Sequence, residues 1–316
     1  MNGLQMRMLA VDMDGTLLGP DGVVSARNLA ALQAAEATGA EVVVATGRRH
    51  CYAMRVLRGL GLGEKNALIS SNGTVVRTVG AMLMERTLLP KETARWLCGH
   101  VDEFRNSLVM TFDKVGPDGD DDRGALVVEE LAELNASIGK WMKANEPYIA
   151  HVVPIENALD GDDPIQMMLC GTIERMRRAE ARLLEHPGIS AVGAAPQEHA
   201  PGIEVALHRT EYAERDLSIV DILPAGCSKG AALLRLAERR GVKAEEIVAI
   251  GDNWNDVSML EVAGRAVLMA NAPEDLKAVA AERGWYLGKR HDEDGVAVAV
   301  ETVLAGESLY PIVGVL

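Results

Sequence analysis

Met8-Leu9-Ala10-Val11-Asp12-Met13-Asp14-Gly15-Thr16 is the stretch on which the fold turns. Four apolar residues run unbroken into a carboxylate, the pattern of a buried strand whose polar residues begin where it stops. Outward from there, Ser25 can cap a helix to about Thr38, with Leu29 and Leu32 as its buried stripe and Gly39 as its stop. Glu41 to Ala45 is a second β-branched run, ending at Thr46-Gly47. A helix fits Arg48 to Leu60, then a strand at Ala67 to Ile69 that ends in Ser70-Ser71-Asn72-Gly73. Strands alternating with helices predict a parallel sheet covered on both faces.

The last 90 or so residues repeat this rhythm. A helix is predicted from Ser228-Lys229-Gly230 to about Arg240, a strand over Glu246 to Ile250 ending at Gly251-Asp252, and a helix from about Asn255. Arg265 to Met269 reads as another short strand, Pro273 opens a helix, and a last helix fits Gly295 to Leu304. The middle differs. Helices over Pro90 to Phe104 and Ile173 to Glu185, with strands over Ser107 to Phe112, Ile165 to Cys170 and Ile203 to Leu207, predict an inserted α+β module. The expected division is a discontinuous α/β core, residues 1–86 and 217–316, around an insert at 87–216.

The 316 residues contain 32 Lys and Arg against 46 Asp and Glu, a net charge of −14, with 48% hydrophobic and only 3% aromatic residues. The core is therefore aliphatic, and the acidic surplus opposes broad binding to nucleic acid or anionic lipid. Cys51, Cys98, Cys170 and Cys227 are scattered without a CxxC pair, which predicts reduced thiols and, with no apolar stretch long enough to span a bilayer, a cytoplasmic protein. Oligomeric state is left open.

Every strand of the flanking halves ends in polar residues, and in an open α/β sheet ligands bind outside those carboxyl ends. Gathered there are Asp12-Met13-Asp14-Gly15-Thr16, Thr46-Gly47-Arg48, Lys229 and Gly251-Asp252-Asn253-Trp254-Asn255-Asp256. Four carboxylates in one place repel unless a cation neutralises them, and oxygen-only ligands suit a hard ion such as Mg²⁺. Metal, ammonium and backbone amides together make a phosphate site. Calcium is a poor fit to the first motif: Leu17 and Val23 stand where an EF-hand needs glycine and glutamate. In Asp118-Gly119-Asp120-Asp121-Asp122, Arg123 replaces the required glycine, so a solvated acidic loop is expected. Arg175, Arg177, Arg178 and Arg182 read as a solvated helix face rather than an anion site, the histidines show no zinc spacing, and no Walker A sequence occurs.

The ordered set resembles the four signature motifs of the haloacid dehalogenase (HAD) superfamily, and the long insert between the second and third resembles the class IIB cap of Cof-type sugar-phosphate phosphatases. Ser71-Asn72-Gly73, Met269-Ala270-Asn271-Ala272-Pro273 and Asp292-Glu293-Asp294-Gly295-Val296-Ala297 are also similar to that subfamily, with Ala270 where glycine is usual. The resemblance implies a Rossmann-like core with an α+β cap for substrate selection, and a Mg²⁺-dependent phosphomonoester hydrolase acting on a small phosphorylated metabolite such as a sugar phosphate. It implies Asp12 as the nucleophile that forms an aspartyl-phosphate and Asp14 as acid and base. Asp12, the Asp14 carbonyl and Asp252 would be the metal ligands. Thr46 and the Gly15 amide would bind phosphate, together with Gly47, Lys229 and Asn255, and Asp256 would orient Lys229 or a metal-bound water. Two alternatives stand beside it: a phosphomutase, which needs a second phosphate site in the cap, and a non-catalytic sensor of a phosphorylated ligand, for which an acid–base residue has no use.

Overall fold

A computed structural model describes residues 6–116, 119–191, 201–307 and 309. In chain order the first segment carries β1 (Met8–Asp12), α1 (Ala26–Ala37), β2 (Glu41–Ala45), α2 (His50–Leu57), β3 (Ala67–Ser70), β4 (Val75–Thr78) and β5 (Leu83–Arg86). The middle carries α3 (Lys91–His100), β6 (Leu108–Thr111), β7 (Leu126–Val128), α4 (Ala132–Asn145), β8 (Ile149–His151), β9 (Gln166–Gly171), α5 (Ile173–Leu184), β10 (Ile189–Ala191), β11 (Val205–Tyr212) and β12 (Leu217–Pro224). The last segment adds α6 (Lys229–Arg240), β13 (Ile247–Gly251), α7 (Val257–Val262), β14 (Arg265–Leu268), α8 (Glu274–Glu282), β15 (Tyr286–Leu287) and α9 (Gly295–Leu304). The chain divides between Glu85 and Arg86 and again between Cys227 and Ser228 into two compact units.

The first unit is built on a sheet in the order β15-β14-β13-β1-β2-β3-β4-β5. It is parallel from β15 to β3, and β4 returns antiparallel. Alternate strand residues face opposite sides. Leu9, Val11, Val42 and Val44 pack on one side with Leu32, Leu57 and Val300, while Met8, Ala10, Val43 and Ala45 pack on the other with Leu233, Leu260 and Leu276. That double burial explains why β1 is apolar at every position until Asp12. The Ser25 hydroxyl accepts from Asn28 N at 3.0 Å and caps α1 as expected. The second helix stops at Leu57, short of the predicted Leu60.

The second unit is a sheet in the order β10-β11-β12-β9-β6-β7-β8, antiparallel except at its two outermost pairs. One core joins it to α3 and α5 through Leu97, Met176 and Leu183; another joins it to α4 through Leu134, Ile138 and Met142. One boundary moves. Residues 217–224, expected in the core, form β12, which pairs along its length with β11 and with β9. The hairpin turn, Ala213–Arg215 followed by Asp216 at φ 43°, contains neither glycine nor proline, so nothing local announces it.

The acidic loop is also less solvated than expected. Asp118 lies outside the described residues, but Asp120 accepts from the Tyr148 hydroxyl at 2.9 Å and Asp121 is buried. On α5, Arg177 and Arg178 are exposed as predicted, with Arg177 forked onto Glu211, whereas Arg175 and Arg182 are half-buried and donate to Asn106 Oδ1 and the His100 carbonyl. The four cysteines are all buried. Among the described residues no helix is long and apolar enough to cross a membrane.

Candidate active site

Three neighbouring strands deliver the polar groups to one edge of the first sheet. The strand β1 ends on Asp12, β2 leads into Thr46, and β13 leads into Asp252. Lys229 enters as the first residue of α6, whose cap is the Ser228 hydroxyl accepting from Ala231 N at 3.0 Å. Its side chain is fully buried, and a buried ammonium must be paired. Its Nζ donates to Asp12 Oδ1 at 2.5 Å and to Asp256 Oδ1 at 2.7 Å.

The carboxylates around it differ in how completely they are satisfied. Asp256 uses both oxygens, since Oδ2 accepts from Asp252 N at 3.0 Å and Asn253 N at 3.1 Å. Asp252 accepts from the Thr16 hydroxyl at 2.9 Å and, more weakly, from Asn271 Nδ2 at 3.3 Å. Gly15 lies so close that a Cβ there would stand 2.4 Å from Asp252 Oδ2, and its φ of 82° also demands glycine. Its carbonyl accepts from Asn271 Nδ2 at 2.9 Å, which ties the loop after β1 to the segment after β14.

Oxygen atoms of Asp12, Asp252 and Asp256 all lie within 4.8 Å of one another, and all three residues are buried. Three carboxylates face one ammonium in a buried pocket. Burial, then Asp256, pushes the Asp12 carboxyl up to about 7. Burial, then Asp12 and Asp256, pushes Asp252 well above the usual carboxylate range. Burial works against the Lys229 ammonium, but the two aspartates outweigh it and hold its pKa above the ordinary value. A hard dication fits the cluster, because the donors are oxygen only and the surplus charge is negative. Asp12 and Asp252 have ligand capacity to give, whereas Asp256 is spent on Lys229 and two amides.

The remaining predicted residues surround this centre. Thr46 is buried, and its hydroxyl accepts from Arg48 N at 3.1 Å. Gly47 lies against the Asn72 amide, which a Cβ would approach to 3.3 Å. Asn255 Nδ2 donates to Asn72 Oδ1 at 3.3 Å, so the turn after β3 meets the fourth motif. Asp14 does not join the carboxylate cluster with its side chain. Arg48 holds that carboxylate by two bonds, Nε to Oδ2 at 2.8 Å and Nη2 to Oδ1 at 2.5 Å.

Thr16, Arg48, Asn72 and Asn271 were visible in the quoted motifs but had no assigned contact. Their only signal was position: each follows the end of a core strand, where the ligand crevice opens.

Comparison with known proteins shows the family of the chain. Residues 9–300 match the family of haloacid dehalogenase-like hydrolases. The chain is 30% identical to phosphatase YwpJ of Bacillus subtilis, over 95% of this chain and 100% of that protein. It is 28% identical to the 5-amino-6-(5-phospho-D-ribitylamino)uracil phosphatase YwtE of the same bacterium, over 96% and 99% of the two chains. A HAD subclass IIB sugar phosphatase of solved structure shares the fold with a TM-score of 0.69 at 21% identity, covering 94% of this chain and 99% of the other. Because the family match begins inside β1 and ends inside α9, it takes in each strand that carries a carboxylate of the cluster, and the chain belongs to the haloacid dehalogenase-like hydrolases as a phosphatase.

Proposed function

We propose that this phosphatase is a Mg²⁺-dependent phosphomonoester hydrolase of a small phosphorylated metabolite, working through an aspartyl-phosphate on Asp12. The metabolite is a sugar phosphate or a sugar-alcohol phosphate, the class suggested by the names of the subclass IIB sugar phosphatase and of YwtE. The observation that carries the reading is the buried Asp12 carboxylate, 2.5 Å from Lys229 and surrounded by Asp252 and Asp256.

An Asp12 oxygen attacks phosphorus, the bond to the leaving oxygen breaks, and Asp14 supplies the proton that oxygen needs. Asp14, now a carboxylate, takes a proton from water as the water oxygen attacks the same phosphorus, and the bond to Asp12 breaks. Lys229 reduces the repulsion between Asp12 and the anionic substrate. The Gly15 amide, the Thr46 hydroxyl, Gly47 and Asn255 hold the phosphate oxygens. Asp256 fixes the Lys229 ammonium. Asp12, the Asp14 carbonyl and Asp252 would hold Mg²⁺, which when bound supplies positive charge to the phosphoryl group in transfer. The unit from 86 to 227 is read as the cap that selects the substrate, acting on the part of the molecule that does not react.

Mass spectrometry of a rapidly quenched reaction tests the covalent step. The expected result is phosphate on a peptide containing Asp12; phosphate on a serine or histidine peptide would falsify the mechanism. A chelator should abolish turnover and Mg²⁺ restore it. Delivery of the phosphoryl group to a second sugar instead of water would make the enzyme a phosphomutase. Against that outcome, Arg177 is forked onto Glu211 and Arg175 bonds Asn106 Oδ1 at 2.7 Å, so these two arginines of α5 are already engaged within their own unit.

A further inference from the structure

Two residues beyond the buried nucleophile, Asp14 sits in a wetter setting with 43% of its side chain exposed. Solvent by itself would leave that carboxylate free to turn. Instead the Arg48 guanidinium grips both of its oxygens in a planar fork. Arg48 is in turn held from three directions. Its amide donates to the Thr46 hydroxyl at 3.1 Å, its carbonyl accepts from Ser71 N at 2.8 Å, and its guanidinium lies 4.9 Å from the centre of the Tyr52 ring. The Ser71 contact comes from a backbone kept in a costly shape, with φ of 48° at Ser71 and 51° at Asn72.

We propose that Arg48 is a positioning residue for Asp14, fixing the plane of the carboxylate that serves the leaving oxygen and then the attacking water. The inference rests on the acid–base reading of Asp14 given above. A guanidinium suits the task because two bonds fix a carboxylate plane and a single ammonium contact does not. The second motif then serves the proton-transfer group as well as the phosphate. The rival role for Arg48 is direct capture of a substrate anion.

Leaving-group dependence separates these roles. Benzyl phosphate releases a basic alkoxide that needs a proton, whereas p-nitrophenyl phosphate releases a stable phenolate that does not. Single-turnover release of benzyl alcohol or p-nitrophenol with enzyme in excess reads the first transfer alone, apart from binding and from the later hydrolysis of the aspartyl-phosphate, which is the same for both substrates. Asp14→Asn should slow benzyl phosphate by about 10²-fold or more and p-nitrophenyl phosphate far less. Arg48→Gln, which keeps the stem, should slow benzyl phosphate by about tenfold or more, change p-nitrophenyl phosphate by less than about threefold, and leave both KM values within about threefold. Arg48→Lys should not restore the rate. In the Asp14→Asn background Arg48→Gln should add less than about twofold, because the group it positions is gone. Equal slowing of both substrates, a change confined to KM, or a full additional loss in the double variant would overturn the proposal. If Arg48→Gln does not fold, the same three comparisons are read from Arg48→Lys, which must then show the same selective loss. If Asp14→Asn itself slows both substrates equally, the acid–base reading falls and takes this inference with it. If only the arginine variants fail to discriminate, that reading stands and the inference alone is lost.

Discussion

Two clusters in this protein place a single cation among several carboxylates, and they behave in opposite ways. In the first unit Lys229 stands between Asp12 and Asp256, with Asp252 beside them, all buried. In the second, Arg105 reaches Glu156 with two bonds at 2.7 and 2.8 Å, Glu129 at 3.0 Å and Asp102 at 3.0 Å. Arg105 brings five donors in a fixed fork, and Glu129 gains a further bond from Ile155 N at 3.0 Å. Hydrogen bonding from Arg105 accordingly holds the Glu156 carboxyl below its ordinary value. Around Lys229 burial dominates, and Asp12 and Asp252 are pushed up. The number of charges does not separate the two clusters. Satisfaction does: the Arg105 cluster is complete and clamps the turns after α3 and β8 to the end of β7, while the Lys229 cluster keeps a surplus of negative charge.

The sharpest way to break this contrast is Asp12→Asn. An amide is a very poor nucleophile for phosphorus, so turnover should fall by on the order of 10³-fold or more, measured as phosphate release. The fold should survive, because the change removes surplus negative charge from a buried site. The metal-free variant should also lose a pH dependence that the wild type carries. Asp12 has a folded pKa of about 7 against an ordinary value of 3.8. Between those values the folded protein holds a proton that the unfolded chain has released, so stability falls as pH rises through that window. Thermal melts of the metal-free wild type from pH 4 to 7 should show that decline, and saturating Mg²⁺ should remove it. Equal slopes in wild type and variant would mean that the cluster is satisfied after all.

Asp252→Asn should act next most strongly, and on metal rather than on the nucleophile. Among the described residues its oxygens accept from Thr16 and, weakly, from Asn271. The Mg²⁺ concentration for half-maximal activity should rise by about 10–100-fold, read from a metal titration at fixed substrate. An unchanged requirement would remove Asp252 from the ligand set.

The corresponding change in the second unit should do the reverse. Arg105→Ala leaves Glu129 and Glu156 facing each other, partly buried, without their cation. The expected cost is about 2 kcal/mol of stability, seen in a denaturant melt, with kcat within about twofold. A large loss of turnover with little loss of stability would place function in the cluster read here as structural.

The contrast also separates what could be read in the chain from what could not. In the core sheet β1, β2, β3, β13 and β14 were legible because each is an apolar run that stops at a polar motif, so one pattern marks both the fold and the chemistry; β15, with two residues, shows no such run. Asp12, Lys229, Asp252 and Asp256 could be named for that reason. The insert offered less. The strands β7, β8 and β10 have three residues each, too few for a period to show, and α4 is interrupted at Ile138, where φ is −130° and ψ is 32°. Helix α2 ends early because Gly59 and then Gly61, at φ 65°, follow it closely. The Arg48–Asp14 pair spans 34 positions. A motif shows which residues are present and not which pairs will touch, so the register of β1 against β2 was needed to bring these two together.

The smallest expected effect tests the Arg105 cluster from its acid side. Glu156 titrates below its ordinary value of 4.5 because Arg105 bonds its charged form. A lowered carboxyl pKa stabilises the fold fully above the unfolded value, and that contribution disappears as pH falls through the folded one. This is the opposite sign from Asp12, whose raised value penalises the metal-free fold as pH rises. The difference in stability between wild type and Arg105→Ala should therefore hold steady above about pH 5 and shrink as acid protonates Glu156. Partial exposure and solvent screening limit the change to about 1 kcal/mol. Taking the difference between the two proteins cancels carboxyl groups elsewhere, including Asp12, so the remaining slope belongs to this cluster. A difference that stayed constant down to pH 3 would mean that Arg105 acts through the packing of its stem rather than through the carboxylates it holds.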